Sequence, residues 1–207
     1  MLTAVSENKL PARVGDEVDV ALIGAGVMSA TLGVLLNELE PGWSQIIFEG
    51  LDQPAEESSS PWNNAGTGHA ALCELNYTPE SNGKIDKSKA LKINEQFQVS
   101  RQLWTTLVED GVITDPAAFI APVDHSTFAQ GADQIAYMRN RYEALKTEPL
   151  FHDQELIEDK DRFSEYLPLM AEGRDFSTPV STIRNPNGTD VNFGALTKQY
   201  LAALSDR

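Results

Sequence analysis

The chain has 207 residues, 41% of them hydrophobic, and a formal net charge of −15 at pH 7. This length and apolar content predict one sizeable core and the beginning of a second. The acidic excess argues against nucleic-acid binding, which needs a basic face, and gives no attraction to an anionic membrane surface. No apolar run reaches the roughly 20 residues of a membrane-spanning helix. Residues 1–17 lack the pattern of a signal peptide and are expected to form a polar tail, while the single cysteine, Cys73, suits a reducing cytoplasm.

Residues 18–49 predict one complete strand, turn, helix and strand. Val18 to Ile23 is a short apolar run, typical of a strand that is buried on both faces of a parallel sheet. After Gly24 and Gly26, apolar residues recur at helical spacing, at Met28, Leu32, Leu35 and Leu39. The helix is expected to stop at residues 40–42, Glu-Pro-Gly, and the second strand at residues 45–48.

The turn in this unit has the chemistry of a dinucleotide site. Gly24 permits the tight turn, and Gly26 lets a pyrophosphate approach the backbone amides at the helix start. Ser29 takes the position where a third glycine is usual. Glu49 ends the second strand 25 positions beyond Gly24, close to where such folds place the acid that binds a ribose. The alternative is an ordinary α/β loop that happens to contain two glycines.

A second unusual stretch runs from Pro61 to Tyr77 and concentrates asparagine, glycine and threonine just before His69. Such a loop offers backbone donors without bulky side chains, so a flat ring or a phosphate can come close. A glycine-rich surface turn with asparagines as local caps explains the composition equally well. Both interpretations stay open on the residues alone.

The remaining pattern predicts helices at about 87–110, ended by Gly111, and at about 132–146, with a strand at 118–123 between them. Arg139 and Arg141 are expected to point in different directions from the second of these helices. Residues 151–166 are strongly acidic and predict a solvated face around a short helix or loop. A final helix has its apolar stripe at Phe193, Leu196, Tyr200 and Leu204, with a cap expected at 188–190.

Four blocks of this sequence resemble the flavin-dependent malate:quinone oxidoreductases, in order and at plausible spacing. They are VALIGAGVMSATLG, ESSSPWNNAGTGHAALCELNYTPE, INEQFQVSRQLW and GTDVNFGALTKQY. The resemblance implies oxidation of (S)-malate to oxaloacetate in the tricarboxylic acid cycle, with FAD as cofactor and a membrane quinone as electron acceptor. Members of that family are more than twice this long, so the chain is expected to be an amino-terminal portion. A cytoplasmic location, peripheral to the inner face of the cell membrane, follows from the same resemblance.

The resemblance also implies the fold. We expect an α/β, Rossmann-like FAD-binding domain with an incomplete parallel sheet, followed by the start of an inserted α+β substrate domain. The predicted boundaries are 18–77 for the FAD-binding domain, 78–185 for the partial substrate domain and 186–207 for a helix that returns to the first domain.

By resemblance, the cofactor-binding residues fall into two groups. The pyrophosphate turn and the ribose acid are Gly24, Ala25, Gly26, Met28, Ser29 and Glu49. The flavin side is expected at Ser58, Ser59, Asn64, Ala65, Gly66, Thr67 and Gly68. The chain departs from the family pattern at Gly50, where arginine is usual, and at Asp124, where proline usually precedes the histidine at position 125.

His69 is the candidate catalytic base, because it ends the flavin-side loop and a neutral imidazole can accept a proton near pH 7. It could equally serve only as a hydrogen-bond partner of the flavin. Arg174 is the candidate contact for a substrate carboxylate, against the commoner role of a surface arginine. No metal site is expected, because the three histidines have no partner at ligand spacing.

Three other functions remain open at this point. A related FAD enzyme could act on another 2-hydroxy acid or on an amino acid, and the chain could be a catalytically inactive FAD-binding fragment. An NAD-dependent dehydrogenase is disfavoured, because nothing in a nicotinamide site requires the 63–69 loop.

Overall fold

The computed structural model describes Gly15 and residues 17–205, so the predicted polar tail lies almost wholly outside the described residues. Two compact units divide the chain. Unit 1 takes the described residues of Met1–Thr67, Gln102–Ala121 and Asp190–Arg207. Unit 2 consists of Gly68–Arg101 and Pro122–Thr189. The domain boundaries expected from the sequence remain predictions.

Unit 1 begins with the predicted strand, turn, helix and strand, and the order and type of these elements are confirmed. The expectation that the first strand is buried on both faces is wrong, because Ala21 is exposed and Ile23 is 78% exposed. Its elements are β1 (Val20–Ile23), α1 (Val27–Leu39) and β2 (Gln45–Phe48). The two strands pair in parallel, from Val20 opposite Gln45 to Ile23 opposite Phe48. A parallel pair joined by a helix is the elementary α/β unit, so the expected α/β fold class is confirmed, and the parallel sheet has two strands among the described residues.

Helix α1 buries a different face from the apolar stripe read in the sequence. Met28 is 81% exposed and Leu39 is 74% exposed, whereas the buried residues are Ala30, Gly33 and Val34. Small residues face inward because the helix lies close to its neighbours. A Cβ added at Gly33 would lie 2.8 Å from Leu204 Cδ1, which belongs to the last helix, α6 (Phe193–Ser205).

The core of unit 1 lies between these elements and α6. Three of the four predicted stripe residues of α6, Leu196, Tyr200 and Leu204, are almost fully buried in one apolar cluster. The predicted cap at 188–190 is wrong, because Thr189–Val191 is a strand. The side chain of Asn192 caps the helix instead, with its Oδ1 accepting the Ala195 amide at 3.0 Å.

Unit 2 is built on a three-stranded antiparallel sheet that the sequence did not predict. Its strand order is β6–β8–β7. The strands and helices of the second half of the chain, in order, are β5 (Ile120–Pro122), β6 (His125–Gln130), α3 (Ala132–Leu145), β7 (Glu155–Ile157), α4 (Lys160–Tyr166), α5 (Pro168–Ala171), β8 (Val180–Asn185) and β9 (Thr189–Val191). Before them lie β3 (Glu80–Ser81), β4 (Lys84–Ile85) and α2 (Ser88–Glu109), and strands β5 and β9 pair with each other.

Both long helices of this region are confirmed within two residues of their predicted ends. Gly111 follows α2 with a φ of +72°, a backbone conformation that suits glycine and stops the helix. The acidic stretch 151–166 is less solvated than expected, because Phe151 and Phe163 are fully buried. Its apolar residues face inward from β7 and α4, while its carboxylates stay outside. None of the helices within the described range is long and apolar enough to cross a membrane.

Candidate functional site

The turn after β1 has the backbone geometry that the two glycines predict. Gly24 has a φ of +88°, and its amide donates to the Phe48 carbonyl at 2.7 Å. Gly26 is the N-cap residue of α1 and is extended. A Cβ at Gly26 would lie 3.2 Å from Ser59 Oγ, so a side chain here would crowd that hydroxyl. Glycine at position 26 therefore keeps a side chain away from the start of α1, a point where helix amides favour an anion.

Glu49 lies at this turn and is held there by backbone amides. Its Oε2 accepts the Ala25 amide at 2.7 Å, and its Oε1 accepts the amides of Gly50 at 2.7 Å and Leu51 at 2.9 Å. These hydrogen bonds, with that of Ala25 the strongest influence, lower the pKa of Glu49 below its usual value. The carboxylate is therefore ionised and fixed. Because each oxygen has further lone pairs, it can still accept a hydroxyl hydrogen from a ligand.

Two serines complete the surroundings of the turn. Ser59 is only 3% exposed, and its Oγ accepts the Val27 amide at 2.9 Å. The structure thus places Ser59 at the start of α1, next to the turn after β1. Ser29 donates from its Oγ to the Ile23 carbonyl at 3.4 Å, which accommodates its hydroxyl where a third glycine is usual. Met28 points away from the core and is exposed.

The loop at 58–67 is organised by Asn64. Its Nδ2 donates to the carbonyls of Ser58 at 2.9 Å and Ser60 at 2.6 Å, while its Oδ1 accepts the Gly66 amide at 2.8 Å. Gly66 has a φ of +63°, and a Cβ there would lie 2.7 Å from Asp190 Oδ1. Ala65 is exposed and Thr67 forms a β-bridge with Asp190. These contacts give the loop one defined backbone path in unit 1.

Unit 2 begins with Gly68 and His69. The Gly68 amide donates to the Thr189 carbonyl at 2.7 Å, and a Cβ at Gly68 would lie 1.9 Å from Thr189 Oγ1. His69 is 52% exposed at its side chain. Its Nε2 lies 3.1 Å from the Tyr77 hydroxyl and 3.5 Å from Glu74 Oε1. The imidazole is therefore oriented by two neighbours while one edge faces solvent.

Arg141 is a buried cation that sequence reasoning did not identify as important. Its side chain is fully buried, and burial lowers the pKa of its guanidinium. Nη2 donates to the carbonyls of Ala71 at 3.3 Å and Leu72 at 3.2 Å, and Nε donates to Thr78 Oγ1 at 3.1 Å. Ala71 has a φ of +55°, which is costly for a residue with a Cβ. Arg141 thus fixes a strained segment that directly follows His69.

The sequence offered one signal for this arrangement. Arg141 follows the buried Met138 by three positions on α3, on the face that packs inward. An arginine on an apolar helix face predicts a buried guanidinium, whereas Arg139 points outward and pairs with Glu158 at 2.8 Å. The predicted divergence of the two arginines is confirmed.

Cys73 lies beside this segment and is partly buried. Burial, and then the neighbouring Glu74, raise the pKa of its thiol to about 11. Its Sγ lies 3.8 Å from Nδ1 of the buried His125. Since a thiol with such a pKa stays protonated near neutral pH, this pair does not have the chemistry of a cysteine nucleophile.

Arg174, the predicted substrate contact, lies elsewhere in unit 2. Its Nε donates to the Met170 carbonyl at 2.7 Å and its Nη1 to Gln130 Oε1 at 3.3 Å. The guanidinium also lies over the ring of Phe128, 5.0 Å from the centroid. Its role with substrate stays a prediction. Across the described part of the chain, no group of three or more metal-ligating side chains comes together.

Comparison with protein families gives one match that spans nearly the whole chain. The model of the family described as malate:quinone oxidoreductase matches residues 16–207. A malate:quinone oxidoreductase of Corynebacterium glutamicum is 63% identical over 191 residues, covering 92% of this chain and 38% of that protein. A probable malate:quinone oxidoreductase of Mycolicibacterium gilvum is 57% identical over 187 residues, covering 90% of this chain and 36% of that protein. The chain thus spans well under half the length of these curated relatives.

Solved structures with the same fold are more distant in sequence. Glycine oxidase from Bacillus cereus matches with a TM-score of 0.58 and 19% identity, covering 91% of this chain and 44% of that one. L-α-glycerophosphate oxidase from Mycoplasma pneumoniae, solved with FAD bound, matches with a TM-score of 0.58 and 12% identity, covering 92% of this chain and 43% of that one. At these identities the likeness concerns the fold alone.

Proposed function

Because the chain belongs to the malate:quinone oxidoreductase family, we propose that it forms part of an enzyme that oxidises (S)-malate to oxaloacetate with FAD and a membrane quinone. The family expected from the four sequence blocks is confirmed. The observation that carries the proposed activity is 63% identity to a malate:quinone oxidoreductase across 92% of this chain. The chain covers only 38% of that relative, so we assign to it the binding of the cofactor and part of the substrate site.

The residues of unit 1 fit an FAD molecule at the turn after β1. We expect the pyrophosphate against the amides at the start of α1, where Gly24 and Gly26 leave the backbone accessible. We expect the adenosine ribose against Glu49, whose carboxylate is ionised and fixed by the Ala25 amide at 2.7 Å. When bound, FAD would supply the acceptor for the hydride that leaves the hydroxyl-bearing carbon of malate.

Further cofactor contacts are proposed from the loop at 58–68. Ser59 holds the Val27 amide and so keeps the helix start in place. Asn64 fixes the backbone path of the loop, which brings exposed main chain toward a flat ring. The predicted set of loop residues is Ser58, Ser59, Asn64, Ala65, Gly66, Thr67 and Gly68.

We propose His69 as the group that accepts the hydroxyl proton of malate. Its Nε2 lies near the Tyr77 hydroxyl and Glu74, so a proton on Nε2 can be directed toward that carboxylate. In this tautomer Nδ1 is the ring nitrogen that takes up a proton. Glu74, 3.5 Å from Nε2, would then stabilise the imidazolium. Arg174 remains the candidate from sequence for a carboxylate of malate.

Electron transfer to a membrane quinone requires the whole enzyme to reach the membrane surface. We therefore propose peripheral association with the inner face of the cell membrane and a role in the tricarboxylic acid cycle.

The first test is whether the 207-residue chain holds FAD. The purified chain is mixed with FAD, freed of unbound cofactor by gel filtration and examined by visible absorbance. Two matched variants separate specific binding from charge effects: Glu49→Gln removes the proposed ribose contact, and Glu40→Gln removes an exposed acid at the end of α1. We expect retained flavin bands in the parent chain and in Glu40→Gln, and weaker bands in Glu49→Gln.

The second test is bleaching of the retained flavin by substrate in the absence of oxygen. L-malate should bleach it, and glycine and glycerol 3-phosphate should not. A parent chain that retains no flavin refutes cofactor binding by these residues. Bleaching by glycine but not by malate refutes the proposed substrate.

A further inference from the structure

A cleft in unit 2 lies beside the segment that follows His69. Its volume is about 310 Å³, and its walls include Ala70, Leu72 and the backbone of Gly188 and Thr189. One side is apolar, formed by Leu72, Leu150 and nearby prolines. Polar side chains of α2 also line the cleft, so a ligand that enters it meets both apolar and polar groups.

The polar side is a connected hydrogen-bond network. Asn94, Gln98 and Arg101 lie at successive turns on one face of α2, and all three line the cleft. Arg101 Nη1 donates to Gln98 Oε1 at 3.2 Å, and Gln98 Nε2 donates to Asn94 Oδ1 at 3.0 Å. Asn94 is only 1% exposed, so the network starts from a fixed residue. Gln98 in turn orients the guanidinium of Arg101.

The charge around the cleft is unlike that of the chain as a whole. The sequence has 31 acidic residues and a net charge of −15. Among the described residues that line this cleft there is no aspartate or glutamate, and Arg101 supplies positive charge. Asp153, bonded to the lining residue Asn187 at 2.7 Å, is an acid next to this lining, so Arg101 gives the cleft a less negative field than the chain as a whole.

We propose that this cleft binds a carboxylate of a small hydroxy acid and that Arg101 is the cationic contact. A planar guanidinium pairs with a carboxylate through two parallel N–H bonds. The Nδ2 of Asn187 already donates to Asp153 Oδ2 at 2.7 Å, so its Oδ1 is the atom that can accept a hydrogen bond from a neighbouring hydroxyl of the ligand. The inference rests on the proposed function and assigns a malate carboxylate to Arg101 in place of Arg174. The guanidinium of Arg174 does not line the cleft and already contacts Met170 and Gln130.

The test is a calorimetric titration of the 207-residue chain, without FAD, with L-malate. Arg101→Gln should weaken L-malate binding at least about tenfold, the loss expected for a hydrogen-bonded charged partner. Arg101→Lys keeps the positive charge but loses the two parallel N–H donors of the guanidinium, so it should retain part of the affinity for L-malate. Arg174→Gln tests the competing candidate for the malate carboxylate. Arg139→Gln, which removes an exposed arginine of the same unit, is the matched control and should leave the affinity unchanged.

The second part of the test compares the affinities of the parent chain for three ligands. Succinate lacks the hydroxyl and should bind more weakly than L-malate, and inorganic phosphate should bind more weakly still. The inference is overturned if L-malate does not bind, if Arg174→Gln weakens binding and Arg101→Gln does not, or if phosphate binds as well as malate. Loss of flavin retention with intact, Arg101-dependent malate binding would refute the proposed cofactor site alone. Retained flavin without malate binding would refute the cleft alone.

Discussion

Replacing Arg141 with methionine should destabilise unit 2 strongly, although the substitution removes a buried charge. The guanidinium donates to three acceptors, the carbonyls of Ala71 and Leu72 and the hydroxyl of Thr78, at 3.1–3.3 Å. Methionine has a similar length and fills the same space without donating. The variant therefore removes three hydrogen bonds and takes this donor from the carbonyls of Ala71 and Leu72, while Thr78 Oγ1 keeps its contacts with the Leu75 carbonyl and the Tyr137 hydroxyl.

Two opposing effects determine how much the free energy of unfolding of unit 2 falls in Arg141→Met. Each hydrogen bond from a charged donor contributes about 1.5–3 kcal/mol, so three give a gross loss of roughly 4–9 kcal/mol. The variant also no longer buries a cation, and removing this desolvation penalty offsets several kcal/mol of the loss. The lowered pKa of Arg141 reflects the same penalty. We expect a net loss of about 2–4 kcal/mol, because deleting one partner of a buried polar contact usually outweighs the relief.

The assay uses the three histidines of the sequence, which all lie in unit 2. Their imidazole resonances, followed by NMR during urea unfolding, report the free energy of unfolding of this unit. Arg139→Met is the matched control on the same helix: it breaks an exposed pair with Glu158 and should cost less than about 1 kcal/mol. Equal effects of the two substitutions, or a more stable Arg141→Met protein, would refute the reasoning.

Three further predictions concern single positions. Gly68→Ala should lower the melting temperature markedly, because the added Cβ would lie 1.9 Å from Thr189 Oγ1. Gly42→Ala is the control and should leave the melting temperature nearly unchanged, because a Cβ there has nothing within 4 Å. Similar melting curves of the two variants would contradict this prediction. The thiol of Cys73, with a pKa of about 11, should be alkylated by iodoacetamide at pH 8 about 100-fold more slowly in the folded chain than in urea, as followed by mass spectrometry. Because folding lowers the pKa of Glu49, its contribution to stability is present above the ordinary value of 4.5 and is lost as pH falls through the lower folded value. Thermal unfolding of Glu49→Gln should therefore depend less on pH below 4.5, and an unchanged dependence would contradict the assigned contacts.

Sequence reasoning succeeded where the determinants are local. The strand, turn, helix and strand from β1 to β2 were predicted because the glycines and the apolar run lie next to one another in the chain. The same holds for α2, α3 and α6, whose apolar residues recur at helical spacing. The distance from Gly24 to Glu49 also predicted a carboxylate at the turn, and the structure shows it bound to the Ala25 amide.

Prediction from the sequence failed where two residues that contact each other lie far apart along the chain. Strand β8 pairs with β6, whose residues lie 50 to 60 positions earlier, and no local signal specifies that pairing. The buried face of α1 was predicted wrongly from its apolar residues. Close packing against α6 favours small residues, so Gly33 faces inward and Met28 faces outward. The network of Arg141 joins residues about seventy positions apart and follows only from the fold.

Arg141 and Arg101 act on the same cleft in different ways, so their effects on stability and on malate binding can be separated. Arg141 holds the Leu72 carbonyl, while the residue Leu72 lines the cleft that Arg101 also lines. Substituting Arg101, which is exposed, should weaken malate binding and leave the free energy of unfolding nearly unchanged. Substituting Arg141 should lower the free energy of unfolding and weaken malate binding as well, because the wall it holds can then move. Malate affinity that survives Arg141→Met in the folded protein would show that the segment after His69 keeps its position without the buried cation.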